Sequence, residues 1–328
     1  MGYKAEKEKI EKKISVIKLV VLCVVLAVVV GFCVFSAFCP PATWKYHVKK
    51  FKIDKREDGQ MRIHFLDVGQ GDCTLIELPD GKVALIDGGD TTESTAETVL
   101  RYINSLKIKT IDYLIVTHPD SDHCGSLQLV VEQKKVLNAY LPATKPEKEG
   151  EAYAGLYKEL LEEKCGLTYS SRAVNLSGEG YTFAFVYPRS LETEDIEHYD
   201  GSSAVIWLDY KGASALLMGD EPVETESLLI ADSKAGILKK YGVDLQSTEI
   251  LKVGHHGSAT STSLEFLQYL NVNTAVISCG ENNPYGHPAE EVLKNIEAAG
   301  ARACCTDDNG TVMVRIWADG KCKVETEK

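Results

Sequence analysis

The sequence predicts a mixed α/β protein, two sheets packed together with helices outside them, preceded by one membrane-spanning helix. Three observations carry that expectation. Short β-branched runs punctuated by glycine begin at Met61, amphipathic stretches fall between them, and no charged residue occurs over the 26 positions from Leu19 to Trp44. With 328 residues and 44% hydrophobic side chains, the chain has core material for one large domain or two ordinary ones.

Residues 1–18 read as a short basic tail and residues 19–40 as a transmembrane anchor. The run LVVLCVVLAVVVGFCVFSAFC supplies 21 predominantly apolar residues, sufficient to cross a bilayer as a helix. A cleavable signal peptide is the competing reading. The run is long for one, and neither Phe35 to Ala37 nor Ser36 to Phe38 places small residues at both cleavage positions. Residues 41–60 form a basic juxtamembrane linker, and KYHVKKFKIDKR suits anionic lipid headgroups. Six Lys precede the segment and six Lys or Arg follow it in residues 45–56, so the positive-inside comparison ties. The short tail makes an inside tail and an extracytoplasmic domain the expectation.

Residues 61–328 read as the folded body. MRIHFLDVG begins it as a strand, and CTLIEL and KVALID flank Pro-Asp-Gly as a β-hairpin. Val99, Leu100, Tyr102, Ile103 and Leu106 share one face of a helix over residues 93–107. IDYLIV, residues 111–116, is a strand buried on both faces. EAYAGLYKELLEEKCG reads as a helix ending at Gly166, YTFAFVYP as a strand, and SSAVIWLDYKGASALLMGD as a hairpin turning at Lys211 and Gly212. EILKVGHHGS is a strand running into a loop, TSLEFLQYL a helix and TAVISCG a strand. HPAEEVLKNIEAAG is a helix with Pro288 in its first turn and Gly300 as its stop, and TVMVRIW with KCKVET makes a last hairpin.

The overall charge of -12 conceals an asymmetry: residues 1–56 hold 12 Lys or Arg against 4 acids, and the rest holds 24 against 44. An acidic body disfavours broad nonspecific attachment to a polyanion, although bound metal makes a locally positive cleft. Three of the ten cysteines lie in the apolar N-terminal segment and the rest are irregularly spaced without a CxxC pair, which excludes a dense disulfide framework.

Strand ends repeatedly carry acids and histidines. THPDSDHCG, residues 117–125, follows a core strand and sets His118, Asp120, Asp122 and His123 within six positions, ligand types that suit zinc, manganese or iron. FLDVGQGD offers Asp67 and Asp72, LIDGGD offers Asp87, LLMGD offers Asp220, VGHHGS offers His255 and His256, and NPYGHP offers His287. A solvated turn explains any one of these; several at successive strand ends are difficult to explain as independent surface loops.

In that order these motifs resemble the metallo-β-lactamase-fold hydrolase superfamily, and within it the nuclease-like domain of the competence protein ComEC and its stand-alone relatives. The similarity runs over about residues 61–318. It implies a four-layer αββα sandwich with two divalent metal ions, zinc or manganese, at one edge of the paired sheets. His118 and Asp120 would serve one ion, Asp122, His123 and His255 the other, and Asp220 would bridge them. Asp120 stands where many members have histidine, which shifts preference toward manganese. The superfamily's isolated third histidine has no clear match in DGSSAVIW, with His198 the nearest candidate. Asp67, Asp72 and Asp87 would orient loops and ligands, and Gly69, Gly71, Gly88 and Gly89 would permit tight turns beside the ions.

The resemblance implies a membrane-anchored phosphodiesterase or nuclease that uses a metal-activated water. Asp122 would orient that water or take its proton. His256, Ser258 and Asn283 would contact substrate, and His287 would contact phosphate or protonate the leaving group, its alternative being a packing residue beside Pro288. The partners implied are a phosphodiester substrate, DNA among the candidates, and the membrane; no protein partner is implied. A single anchor stands in place of ComEC's multi-helix channel region, so DNA uptake is not expected. Two alternatives remain: an envelope phosphodiesterase acting on phosphocholine or teichoic-type esters, and a noncatalytic metal-containing binding protein.

Overall fold

The computed structural model describes residues 2–38, 40–48, 51–191 and 203–328. Contacts divide the chain into two units, Met1–Val48 and Lys49–Lys328. In the first, helix α1 (Gly2–Phe38) takes in most of the basic tail as well as the apolar run, and a short 3-10 helix follows at Pro41–His47. The stretch Glu6–Ala37 is long and apolar enough to cross a membrane. Trp44 packs against Phe32 and Phe35, with ring centroids 5.9 and 6.0 Å apart.

The second unit opens with residues that sequence reading treats as linker. Phe51 contacts the Tyr102 ring at 4.8 Å. Arg62, fully buried on the first strand, donates to the Asp54 carbonyl at 2.8 Å. The segment from Phe51 onward is thus fixed to the body and is not a free spacer.

In chain order the body contains β1 (Met61–Phe65), β2 (Thr74–Glu77), β3 (Val83–Ile86), α2 (Glu93–Ser105), β4 (Thr110–Ile115), α3 (Ser121–Cys124), α4 (Leu127–Gln133) and β5 (Lys135–Leu141). It continues with α5 (Glu151–Glu162), β6 (Gly166–Tyr169), β7 (Tyr181–Tyr187), β8 (Val205–Tyr210), β9 (Ala213–Leu217), α6 (Val223–Lys234) and β10 (Ile250–Lys252). Last come α7 (Leu264–Leu270), β11 (Thr274–Ile277), α8 (Glu290–Ala298), β12 (Arg302–Cys305), α9 (Thr306–Asn309), β13 (Val312–Ile316) and β14 (Cys322–Thr326).

These strands form two sheets, ordered β14-β13-β1-β2-β3-β4-β5-β6 and β12-β11-β10-β9-β8-β7. Alternation along β1 shows how the layers arise: Met61, Ile63 and Phe65 face Phe183, Phe185 and Ile206 of the other sheet, while His64 turns outward to the Tyr102 hydroxyl of α2 at 2.9 Å. Beyond the second sheet, Leu229, Phe266 and Ile296 of α6, α7 and α8 pack on Leu216, Leu251 and Ala275. The result is the αββα sandwich.

Local chemistry sets the boundaries. Thr92 caps α2 by accepting from the Thr95 amide at 3.3 Å. Lys211 and Gly212 both adopt positive φ, 57° and 89°, the conformation a two-residue hairpin requires between β8 and β9. The helix expected to stop at Gly166 ends at Glu162, and Gly166 begins edge strand β6. α8 starts after Pro288, at Glu290 with Ala289 as its cap, so this proline precedes the helix. β4 is not wholly buried: Asp112 and Tyr113 are half-exposed. The described cysteines are all free.

Because the Phe183 ring is fully buried between the sheets, Phe183→Ala is expected to cost about 3–5 kcal/mol. The measurement is chemical denaturation of the detergent-solubilised chain, with a lowered midpoint at unchanged slope.

Candidate metal centre

The parallel strands β3, β4, β9, β10 and β11 all run toward one edge of the sandwich, and the loops leaving them there carry the acids and histidines. Backbone bonds weave these loops together. The Asp72 amide donates to the Asp122 carbonyl at 3.1 Å, Gly89 to Asp72 at 2.7 Å, and Ala204 to Thr117 at 3.0 Å. Gly71 lies so close to this weave that a Cβ there would meet the Asp122 carbonyl oxygen at 2.3 Å, at a φ of +135°.

Asp220 is the meeting point. His118 Nε2 is 3.7 Å and His256 Nε2 3.6 Å from Asp220 Oδ2, and His123 Nε2 is 3.2 Å from Oδ1. Asp122 Oδ2 lies 3.2 Å from His256 Nε2, which is 3.3 Å from His123 Nε2. Asp120 Oδ2 lies 3.7 Å from His118 Nε2.

The far nitrogen of each imidazole is held by a group that accepts a proton. His123 Nδ1–H donates to Asp87 Oδ2 at 2.9 Å, and His256 Nδ1–H to the Ser278 carbonyl at 3.0 Å. Thr117 Oγ1 donates its own proton to Asp87 Oδ2 at 2.7 Å, which leaves it an acceptor for His118 Nδ1–H at 3.1 Å. The hydrogen-bond network therefore assigns the metal-facing role to Nε2 in all of them. Buried His118 Nε2 and Asp220 Oδ1 have no hydrogen-bond partner among the described residues, as atoms awaiting a cation would. The donor set fits divalent metal.

Electrostatics agree. Burial opposes charge on His123, yet Asp220 and Asp87 hold its imidazole well above the usual range. Against the same burial, Asp72 and Asp122 raise His256 to about 9. Burial, joined by the neighbouring His123 charge, pushes His118 down to about 4. Asp220 sits well below the ordinary carboxylate range despite its burial, because of His123 foremost. The site is built for positive charge.

One imidazole assignment changes. His255 and His256 adopt consecutive left-handed conformations, φ +46° and +54°, and this turns the two rings apart. His256, 2% exposed, enters the centre beside Asp122 and His123, the place the sequence gives to His255. His255, 43% exposed, stays at the rim with Nε2 3.8 Å from Asp220 Oδ2. A run of two histidines has no sequence signal that separates them; the backbone conformation decides.

Behind His256, Asp72 Oδ1 lies 3.2 Å from Nδ1, and Asp72 Oδ2 is paired with buried Lys252 Nζ at 2.7 Å. One ligating atom each from Asp72, His123, Asp220 and His256 falls within 4.8 Å of the others. Asp72 nonetheless faces the Nδ1 side and its charge is met by lysine, so Asp122, on the Nε2 side, is the better fourth donor. Sequence reading missed Lys252, Thr117 and Ser203. Ser203 Oγ lies 3.0 Å from His118 Nδ1 and accepts from the Asp220 amide at 3.0 Å.

Two residues assigned to substrate, Asn283 and Ser258, are engaged in local hydrogen bonds. Asn283 donates to the Gly280 carbonyl at 2.9 Å and to the His287 carbonyl, and accepts from the His287 amide at 3.0 Å, so its amide closes its own loop. Ser258, 8% exposed, bonds Thr260 Oγ1 at 3.0 Å within the turn after His256. Both side chains bond within their own loops. His287 lies farther out, its ring 5.8 Å from His255 and stacked on Tyr285 at 5.7 Å, and burial lowers its pKa. Asp67 also lies outside the cluster, bonded within its loop to the Gly69 amide at 3.4 Å. His198 falls outside the described residues.

From Asp120 and Asp122 a cleft of about 790 Å³ opens toward Asp90, Glu149, Glu151 and Tyr285. A family model described as the metallo-beta-lactamase superfamily matches residues 66–281. The chain is 31% identical over 272 residues to ComE operon protein 3 of Bacillus subtilis (strain 168), covering 77% of this chain and 33% of that protein. It is 31% identical over 255 residues to Competence protein ComA of Neisseria gonorrhoeae, covering 77% and 32%. The chain thus spans about a third of the length of these curated relatives. Among solved structures, a single-site variant of CmlA beta-hydroxylase aligns at a TM-score of 0.51 and 12% identity, over 80% of this chain and 55% of that one, a likeness of fold.

The two imidazoles separate in one experiment. After metal loading and gel filtration, His256→Ala is expected to lose bound manganese or zinc by elemental analysis, whereas His255→Ala retains it. The reverse pattern would return His255 to the centre.

Proposed function

We propose that this chain, which belongs to the metallo-beta-lactamase superfamily, is a membrane-anchored, metal-dependent phosphodiesterase with nucleic acid among its substrates. The observation that carries this reading is the convergence of His118, His123 and His256 Nε2 on Asp220, beside Asp120 and Asp122. A relative named for competence supports a nucleic-acid substrate. Bound divalent ions would supply Lewis acidity and a water of lowered pKa. Zinc or manganese would be held by Asp122, His123, His256 and Asp220 on one side, and by His118, Asp120 and Asp220 on the other.

The chain's own residues then have distinct tasks. Asp122, half-buried between the centre and the cleft, orients the attacking water or takes its proton. His255 and His287 stand at the rim with rings 5.8 Å apart, placed to meet phosphate oxygens or a leaving group. Asp87, Thr117 and the Ser278 carbonyl fix the imidazoles, so no reorientation is needed when substrate arrives. The apolar stretch within Glu6–Ala37 would anchor the enzyme with its body outside the cytoplasm.

A second reading has its own observation. The cleft lining includes the carboxylates Asp90, Glu149 and Glu151 and the 68% exposed Tyr285, and no Lys or Arg among the described residues. Such a wall disfavours a long polyanion and suits an envelope phosphodiester that carries a cationic group, such as a phosphocholine ester.

Hydrolysis of bis-p-nitrophenyl phosphate, labelled single-stranded DNA and a phosphocholine ester by the full chain separates these readings. Metal-dependent turnover is expected to fall more than about 100-fold in Asp220→Ala, since losing even an outer partner of a metal ligand costs about 10–100-fold. Cleavage of DNA selects the nuclease, and cleavage of the choline ester alone selects the envelope enzyme. Bound metal without turnover of any of them would overturn both and favour a binding protein.

A further inference from the structure

Two thiols meet where the neighbouring parallel strands β11 and β12 end. The strands pair with Val276 opposite Cys304 and Ile277 opposite Cys305. Alternation sends Cys304 between the sheets, into the layer that holds Phe183 and Ile206, while Cys305 lies with Ile277 on the side covered by α7 and α8. Cys279, just past the end of β11, is on that same side, fully buried, with half-buried Cys305 packed against it. The Cys279 thiol is hydrogen-bonded to the Cys305 sulphur and also meets the Asp307 side chain of α9. Backbone bonds hold this arrangement: the Cys279 amide donates to Thr306 Oγ1 at 3.1 Å, the Thr306 hydroxyl donates to the Cys279 carbonyl at 3.1 Å, and the Cys305 amide donates to Asn309 Oδ1 at 3.0 Å. A buried thiol touching a reachable one, with a carboxylate beside the buried partner, has the parts of a redox couple. The bond from Cys279 holds the Cys305 thiol below its usual range against burial, and the same bond, with burial, raises Cys279. Burial raises the adjacent Cys304 thiol instead.

We propose that Cys279 and Cys305 are a redox-active pair that reacts with small-molecule disulfides and closes to a bridge between β11 and β12. Cys305, as its thiolate, attacks one sulphur of the incoming disulfide. A bond from Cys305 to that sulphur forms, the incoming S–S bond breaks, and the first thiol leaves. Cys279 then gives its proton to Asp307 and attacks the Cys305 sulphur, and the second thiol leaves with that proton. Both cysteines are oxidised, the small disulfide is reduced to two thiols, and the two cysteine protons end on them. The bridge closes a ring of chain that contains α8 and ties β12, the terminal strand of its sheet, to β11. By restricting the unfolded chain it makes the oxidised protein harder to unfold than the reduced one.

The test uses the full detergent-solubilised chain, reduced, freed of reductant and incubated with oxidised glutathione. Samples quenched by alkylation are mapped as non-reduced peptides by mass spectrometry. A peptide pair joined through Cys279 and Cys305 is expected, lost again on treatment with dithiothreitol, and the melting temperature is expected to be higher in the joined form. Cys279→Ser is expected to stop with one glutathione on Cys305, and Cys305→Ser to carry none at Cys279. Asp307→Asn is expected to form the mixed disulfide at least as fast as the unaltered chain but to resolve it at least about 10-fold more slowly, as loss of a proton acceptor would do. Circular dichroism checks the fold of each variant, and where a serine variant does not fold the map of the unaltered chain decides. No joined peptide, a bridge through Cys304 instead, glutathione on Cys279 in Cys305→Ser, or equal melting of the two forms would overturn the proposal. Resolution of the mixed disulfide at the unaltered rate in Asp307→Asn would overturn the role of Asp307.

Discussion

The buried pair of Asp72 and Lys252 is the constraint on which the centre depends. Asp72 leaves the loop between β1 and β2 in one sheet, and Lys252 ends β10 in the other; their charged atoms are 2.7 Å apart. The Asp72 backbone also fixes Asp122 and Gly89, and its second oxygen faces His256. One residue thereby joins four of the loops that carry the site. A buried ion pair need not exceed an apolar pair in stability, because both charges are desolvated. Its value here is geometric, since an apolar contact would not fix the direction of either group.

The same logic explains what the sequence could and could not disclose. The hairpin at Lys211 and Gly212, the helix after Thr92 and the strand before His118 follow from local turn, cap and periodicity chemistry, and the structure has each of them. β5, β12 and α6 gave no comparable signal. β12 is short and partly exposed, and α6 mixes buried Glu226 and Asp232 with Leu229 and Ile230 instead of presenting an apolar stripe. Both acids have structural partners: Glu226 accepts from the Ser263 amide at 3.0 Å, and Asp232 from Arg189 Nε at 2.9 Å. Tertiary partners, which no local pattern encodes, make those buried charges tolerable.

Within the centre, the ligand types were legible and their division was not. His118, Asp120, Asp122, His123 and Asp220 lie at strand ends, and the structure brings them together. The choice between His255 and His256 depends on two residues in left-handed conformation, in a turn whose hydroxyls Ser258 and Ser261 bond Thr260 Oγ1 and the Gly254 carbonyl. The roles of Thr117 and Ser203 depend on which acceptor takes the one proton of each hydroxyl. Neither is written in residue spacing, and both decide which imidazole nitrogen faces the centre.

Charge then links metal to substrate. Asp72, Asp87, Asp120, Asp122 and Asp220 surround the centre, and among the described residues buried Lys252 and the imidazoles supply its positive charge. The cleft beyond adds Asp90, Glu149 and Glu151. A phosphodiester approaching this field without metal would meet repulsion from nearly every wall. A divalent ion held beside Asp220 would reverse the sign there, while the surrounding carboxylates would keep the rest of the cleft negative. On the proposed reading, an anionic group would therefore be drawn to the place beside Asp122. The acidic body, which argues against a broad polyanion-binding face, would for the same reason confine a phosphate to a bound metal.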